Sequence, residues 1–108
     1  MSKSTDWHRN TALIRSGINR TGYQETSEAL FMTSGYVYET AEQAAAAFAG
    51  ETGNFFYSRY GNPTLLALEQ RLTKLEGAEA CRVCSTGMAA IFASMACQLC
   101  AGDRVVAS

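Results

Sequence analysis

Apolar positions fall into three regimes along the chain. Residues 1–35 carry many Thr, Ser, Asn and Gly with weak periodicity. A short helical turn is predicted around Thr11–Arg15, and the remainder reads as an extended arm. Thr40 to Ala49 is a predicted helix: Thr40 suits the N-cap and Gln43, three residues on, can complete a capping box. Gly50 stops it after the four alanines. Glu51 to Tyr57 is then a loop running into an aromatic cluster. The clearest helix opens at Asn62-Pro63-Thr64, with Asn62 or Thr64 as cap and Pro63 in the first turn, where its missing N–H is not needed. Leu65, Leu68, Leu72 and Leu75 then recur at three and four residues as one apolar stripe, and Gly77 ends it.

Beyond Gly77 the period shortens. Glu79 to Cys84 suits a short buried strand, Met88 to Leu99 a helix that is apolar nearly all round, and Arg104 to Ala107 a second strand after the Ala101-Gly102-Asp103 turn. Strand, helix, strand in that order implies a right-handed parallel crossover and therefore an α/β fold.

Composition narrows the function classes. The 108 residues suffice for one small domain, and 47% hydrophobic content is that of an ordinary soluble protein. A net charge of −1, with seven Arg and two Lys scattered along the chain, creates no basic field and disfavours nucleic-acid binding. Residues 1–10 are polar with no apolar core of a signal peptide, and Met88–Leu99 is too short to cross a bilayer. The expectation is a cytoplasmic, reducing setting without membrane association.

Two stretches carry candidate chemistry. Tyr57-Ser58-Arg59-Tyr60-Gly61-Asn62-Pro63-Thr64 offers a guanidinium, a planar fork of donors that matches phosphate oxygens and stays charged at any relevant pH. Ser85-Thr86-Gly87-Met88 is a small-residue turn into a helix, where unpaired N–H groups meet the positive end of the helix dipole. The plainer alternative makes Tyr57 and Arg59 surface side chains at a helix entrance. Gly87 would then merely permit a tight turn and Met88 would be core. For Gly87 and Met88 the two readings are compatible, since the turn that admits glycine also leaves amides free for an anion.

Tyr57–Thr64, then Leu75-Glu-Gly-Ala-Glu-Ala80, Thr86-Gly-Met-Ala-Ala90 and Ala101-Gly-Asp-Arg-Val-Val106, in this order, resemble the pyridoxal-phosphate (PLP) enzymes of cysteine and methionine metabolism. That family includes cystathionine synthases and lyases, methionine γ-lyases and homoserine sulfhydrylases. With Gly35–Gln43 and Phe56–Thr64 taken as a pair, the likeness is strongest to its O-succinylhomoserine sulfhydrylase branch, and it covers about Thr11 to Ser108. The resemblance implies the N-terminal part of a fold-type-I, aspartate-aminotransferase-like α/β fold. Residues 1–50 would be an arm that packs on a neighbouring subunit, plus the first helix. Residues 51–108 would begin the large PLP-binding domain, truncated here. It further implies that Tyr57 and Arg59 reach a neighbour's cofactor phosphate, that Gly87 and Met88 bind phosphate through their backbone N–H groups, and that the substrate is a small amino acid. Tyr57 would also lie near the substrate's leaving group. A homotetramer is implied for the full-length enzyme. Thr86 stands where the family more often has Ser; the hydroxyl is retained.

The family's Schiff-base lysine is expected beyond this chain, because Lys3 sits in the polar tail and Lys74 lies off the apolar stripe. The rival reading is a zinc module: Cys81-x2-Cys84 and Cys97-x2-Cys100 are two CxxC pairs twelve residues apart. Against it, cysteines three apart on a strand point to opposite faces, and an apolar helix joins the pairs. Small, buried free cysteines are the simpler expectation. His8 reads as a bland tail residue, Asp103 as a turn residue, and Glu69 and Glu76 as solvated positions on the polar side of the leucine helix.

Overall fold

A computed structural model of the chain describes residues 7–107. Along them run α1 (Arg9–Arg15), α2 (Ala41–Phe48), α3 (Pro63–Glu76) and α4 (Gly87–Ala96). Local chemistry accounts for the ends. His8 caps α1 through its ring, which accepts the Asn10 N–H. Thr40 caps α2: its hydroxyl accepts the Gln43 N–H at 3.2 Å. Gln43 reaches back to the Glu39 N–H at 3.1 Å, one residue earlier than a standard capping box. At the other end Gly50, at φ +73°, gives its N–H to the Ala47 carbonyl while Glu51 bonds the Ala46 carbonyl. This is the Schellman closure that a left-handed glycine permits. Of the two candidate caps for α3, Asn62 holds the position, its side-chain oxygen accepting the Thr64 N–H at 2.9 Å.

The arm folds back on α3. Ala12 and Ala67 are buried where α1 crosses α3, and Gly17, at φ +73°, brings the chain so close that an added Cβ would lie 2.4 Å from the Ala67 carbonyl oxygen. Arg71 then fastens the end of α1: Nε donates to the Ser16 carbonyl at 2.8 Å and Nη2 to the Ile14 carbonyl at 3.3 Å. The same guanidinium pairs with Glu28. Between these ties the Glu25 carboxylate accepts from the Thr21 hydroxyl and N–H, both at 2.7 Å. Those bonds, the hydroxyl first, hold its pKa below the ordinary carboxylate value.

Further on, Phe31 donates its N–H to Thr64 Oγ1 at 2.9 Å, Ser58 donates its N–H to the Ser34 carbonyl at 3.0 Å, and Gly35 bridges Tyr57 in antiparallel fashion. Ser58 also donates its hydroxyl to the Thr33 carbonyl. Asn62 is the knot of this seam. Only 7% exposed, it caps α3 and donates Nδ2 to the Phe31 carbonyl at 2.9 Å and to Ser58 Oγ at 3.0 Å. Asn62→Asp keeps the cap but places an oxygen against that carbonyl. We expect it to cost about 1–3 kcal/mol, the penalty of buried polar groups left unpaired. Chemical denaturation of the Asp and Ser variants would check this; equal stability of wild type and Asn62→Asp would refute it.

Two sequence expectations need correction. Glu79–Cys84 and Arg104–Ala107 run without a ladder, and among the described residues no strand pairing exists beyond the single Gly35–Tyr57 bridge. A strand is made by its neighbours' hydrogen bonds, and among the described residues no extended segment pairs with either stretch; 79–84 has helix α3 beside it instead. The apolar faces also stay uncovered. Leu65 and Leu68 of the stripe are exposed, as are Met88, Ile91, Phe92 and Met95 of α4, while small residues make the one helix-to-helix packing, α1 on α3. The radius of gyration, 17.2 Å, exceeds the roughly 13 Å expected of a closed domain of this length. Among the described residues no helix is long and apolar enough to cross a membrane.

Candidate functional site

The loop after α2 builds the first half of the site. Phe48 leans on Phe56 with ring centroids 4.7 Å apart, and Phe56 on Tyr60 at 5.1 Å. Tyr60 and Gly61 both return their N–H groups to the Tyr57 carbonyl, at 2.9 and 3.1 Å, closing a tight turn. Its tip presents Arg59. The guanidinium carbon lies 5.2 Å from the centre of the Tyr57 ring and 5.7 Å from that of Tyr60, so two aromatic faces hold the cation. Among the described residues no carboxylate pairs with Arg59, and no group takes its donors. Tyr57 and Tyr60 are exposed beside it.

The second half is the start of α4. Thr86, extended at φ −145°, caps the helix, its hydroxyl accepting the Ala89 N–H at 3.1 Å and its carbonyl the Ala90 N–H at 3.1 Å. That leaves Gly87 and Met88, the first two helical residues, with N–H groups that bond nothing among the described residues. A ten-residue helix adds its dipole to those amides. The arrangement can bind an anion on main-chain donors alone.

The chain does not bring the halves together. Arg59 lines a groove of about 650 Å³ with Phe56, Tyr60, Glu69, Arg82 and Val83, and that groove excludes Gly87 and Met88. Tyr57 and Arg59 thus form one cluster and the α4 turn another.

Other candidates settle simply. The four cysteines are free thiols but not buried as expected: Cys81 and Cys84 are half-buried and Cys97 and Cys100 exposed, because no further layer among the described residues covers this part of the chain. Among the described residues no three His, Cys, Asp or Glu side chains converge where a metal could be held. Asp103 closes a turn, its carboxylate accepting the Cys100 N–H at 2.7 Å. Lys74 is exposed on the last turn of α3, and Lys3 lies outside the described residues. Glu69 departs from expectation. Read as solvated, it is half-buried and accepts from Val83 and Arg82. The signal was present in its register: four after Leu65 and three before Leu72, it falls inside the leucine row.

A family model described as "Cys/Met metabolism PLP-dependent enzyme" matches residues 10–108. An O-succinylhomoserine sulfhydrylase of Mycobacterium tuberculosis is 50% identical over 98 residues, which is 91% of this chain and 24% of the relative. An L-methionine gamma-lyase of Porphyromonas gingivalis is 36% identical over 97 residues, 90% of this chain and 24% of that protein. Among solved structures, a Campylobacter jejuni protein described as an O-acetylhomoserine (thiol)-lyase, carrying N′-pyridoxyl-lysine-5′-monophosphate, superposes with a TM-score of 0.84 at 30% identity, over 91% of this chain and 24% of its own. The chain therefore spans about a quarter of the length of the relatives it matches.

Proposed function

Since the chain belongs to the Cys/Met metabolism family of PLP-dependent enzymes, we propose that it forms the N-terminal part of a γ-replacement enzyme making homocysteine from O-succinylhomoserine and sulfide, a step of methionine biosynthesis. The observation that carries the reading is the presence on one chain of a guanidinium, Arg59, and two amides, Gly87 and Met88, that are without partners among the described residues. A phosphate ester fits both. Arg59 meets its oxygens with a fork of donors, and the α4 start adds N–H groups and a dipole of the right sign.

Pyridoxal phosphate, when bound, supplies an electron sink for charge developing beside the amino group of the substrate. The protein's own contribution here is grip and orientation. Arg59 and the Tyr57 phenol hold phosphate at one site, and Gly87 and Met88 at another. The separation of the two clusters supports assigning them to different active sites of a homo-oligomer, a homotetramer in the full-length enzyme. The exposed apolar faces of α3 and α4 support burial against further protein. Four free thiols are compatible with a reducing, cytoplasmic setting.

The greater identity to sulfhydrylases, 47–50% against 36–43% for methionine lyases, favours replacement over elimination. The test is an assay of the full-length protein carrying this sequence, with O-succinylhomoserine plus sulfide in one arm and methionine in the other. Homocysteine from the first arm at the higher kcat/KM is expected. Faster consumption of methionine without sulfide would transfer the assignment to a γ-lyase. The 108-residue chain alone is expected to give no product, since Lys74 is exposed on the last turn of α3 and does not line the Arg59 groove.

A further inference from the structure

We infer that Glu69 is a positioning residue for the phosphate-binding turn at 86–88, an inference that rests on the phosphate reading of Gly87 and Met88 proposed above. Its Oε1 accepts the Val83 N–H at 3.1 Å and its Oε2 accepts from Arg82 Nη1 at 3.1 Å. Among the described residues these are the only hydrogen bonds joining residues 79–107 to the rest of the chain, and α4 packs on no other helix. The turn that presents the two amides is thus placed by one carboxylate.

The two bonds are unequal. The Glu69 side chain is 12% exposed and that of Arg82 80%. An ion pair with one partner in water is screened and contributes little. The Val83 bond ends on backbone three residues before the cap Thr86, so it fixes main chain directly. A carboxylate so nearly withdrawn from water needs its donors, and the tether is correspondingly stiff.

The position of Glu69 along α3 gives the tether its consequence. Asn62, at the start of α3, knots the turn that carries Tyr57 and Arg59. Seven residues on, about 10 Å along the axis at the α-helical rise, Glu69 holds the approach to Gly87 and Met88. Helix α3 acts as a spacer between the guanidinium cluster and the amide cluster, which on the reading above serve different active sites, and Glu69 sets the position of the second on it.

The test uses the full-length protein with pyridoxal 5′-phosphate as ligand, reading cofactor affinity and amide exchange at Val83, Gly87 and Met88. In the wild type, cofactor should slow exchange at Gly87 and Met88. Glu69→Ala should free the Val83 amide, weaken cofactor binding by about tenfold and reduce the protection at Gly87 and Met88, the scale of one lost hydrogen bond to a charged group. Glu69→Gln retains an acceptor for Val83 and should restore most of the affinity. Arg82→Ala should change it by less than about fivefold, as a solvent-exposed ion pair does. Glu69→Leu fills the volume without an acceptor and makes the same comparison should the alanine variant not fold. A freed Val83 amide with wild-type affinity and protection would overturn the inference. So would equal weakening by Gln and Ala, which would trace the effect to charge. No cofactor-dependent slowing at Gly87 and Met88 in the wild type would instead overturn the phosphate reading itself.

Discussion

Replacing Arg59 by alanine is expected to weaken binding of pyridoxal phosphate to the full-length protein by about 10- to 150-fold, the worth of a hydrogen-bonded contact between charged groups. The guanidinium is already positioned: two tyrosine faces hold it at 5.2 and 5.7 Å, and no carboxylate competes for its donors among the described residues. Little ordering remains to be done when an anion arrives, so most of the interaction is available for binding. Arg59→Lys keeps the charge but loses the planar fork and stacks less well, and should recover only part of the loss. Tyr57→Phe retains the stacking face and removes the phenol. It should weaken binding less than Arg59→Ala does. Titration of apo-protein with cofactor, followed by absorbance, would measure all three. An Arg59→Ala variant with wild-type affinity would remove this residue from the site and leave only the α4 amides.

Gly17→Ala is expected to destabilise the docking of α1 on α3 by about 2–5 kcal/mol. Two independent penalties combine. An alanine at φ +73° occupies the left-handed region at about 1–2 kcal/mol, and overpacking a tight contact adds about 1–3 kcal/mol. The second applies in full because the new Cβ would meet the Ala67 carbonyl oxygen at 2.4 Å. That oxygen belongs to helix backbone and cannot rotate away as a side chain could. The Arg71 bonds to the Ser16 and Ile14 carbonyls should fail together with the contact, since both lie in the turn just before Gly17. Amide exchange would show it as lost protection in α1, at Ser16 above all, with α3 retaining its own. Unchanged protection at Ser16 would mean that the arm is held chiefly by its later ties at Glu28 and Phe31.

The two variants probe different levels of order. Arg59 stands on a turn closed by local bonds, so its loss should leave the fold intact. Gly17 lies at a tertiary crossing where no local bond can compensate. Melting temperature should therefore separate them: nearly constant for Arg59→Ala, lowered for Gly17→Ala.

The caps of α2 and α3 were legible in the residues because they depend on neighbours within one turn, whereas His8, read as a bland tail residue, turns out to cap α1. Thr40 and Gln43 around the start of α2, Asn62 before the leucines and Thr86 before Gly87 each satisfy a donor four residues away or less. The cation of Arg59 and the free first amides of α4 at Gly87 and Met88 follow from the same local chemistry, while a phosphate role for these residues and Tyr57 rests on the family resemblance. A guanidinium on a turn and the first amides of a helix are local chemical facts. Strands were legible only as tendencies. Glu79–Cys84 and Arg104–Ala107 have the composition of strands, yet a ladder needs a neighbour that no single segment encodes.

What the tertiary structure alone decided is where distant segments meet. The register of Glu69 within the leucine row points to partial burial, but nothing near it names the Val83 amide, fourteen residues away, as its donor, nor does Arg71 announce the end of α1, more than fifty residues before it. Gly17 reads as an ordinary arm glycine until Ala67 lies against it. Local hydrogen-bond geometry is set by covalent spacing and so by sequence directly. The long-range contacts depend on how helices are laid side by side, and there the room left by small residues and the pairing of buried charge decide the outcome.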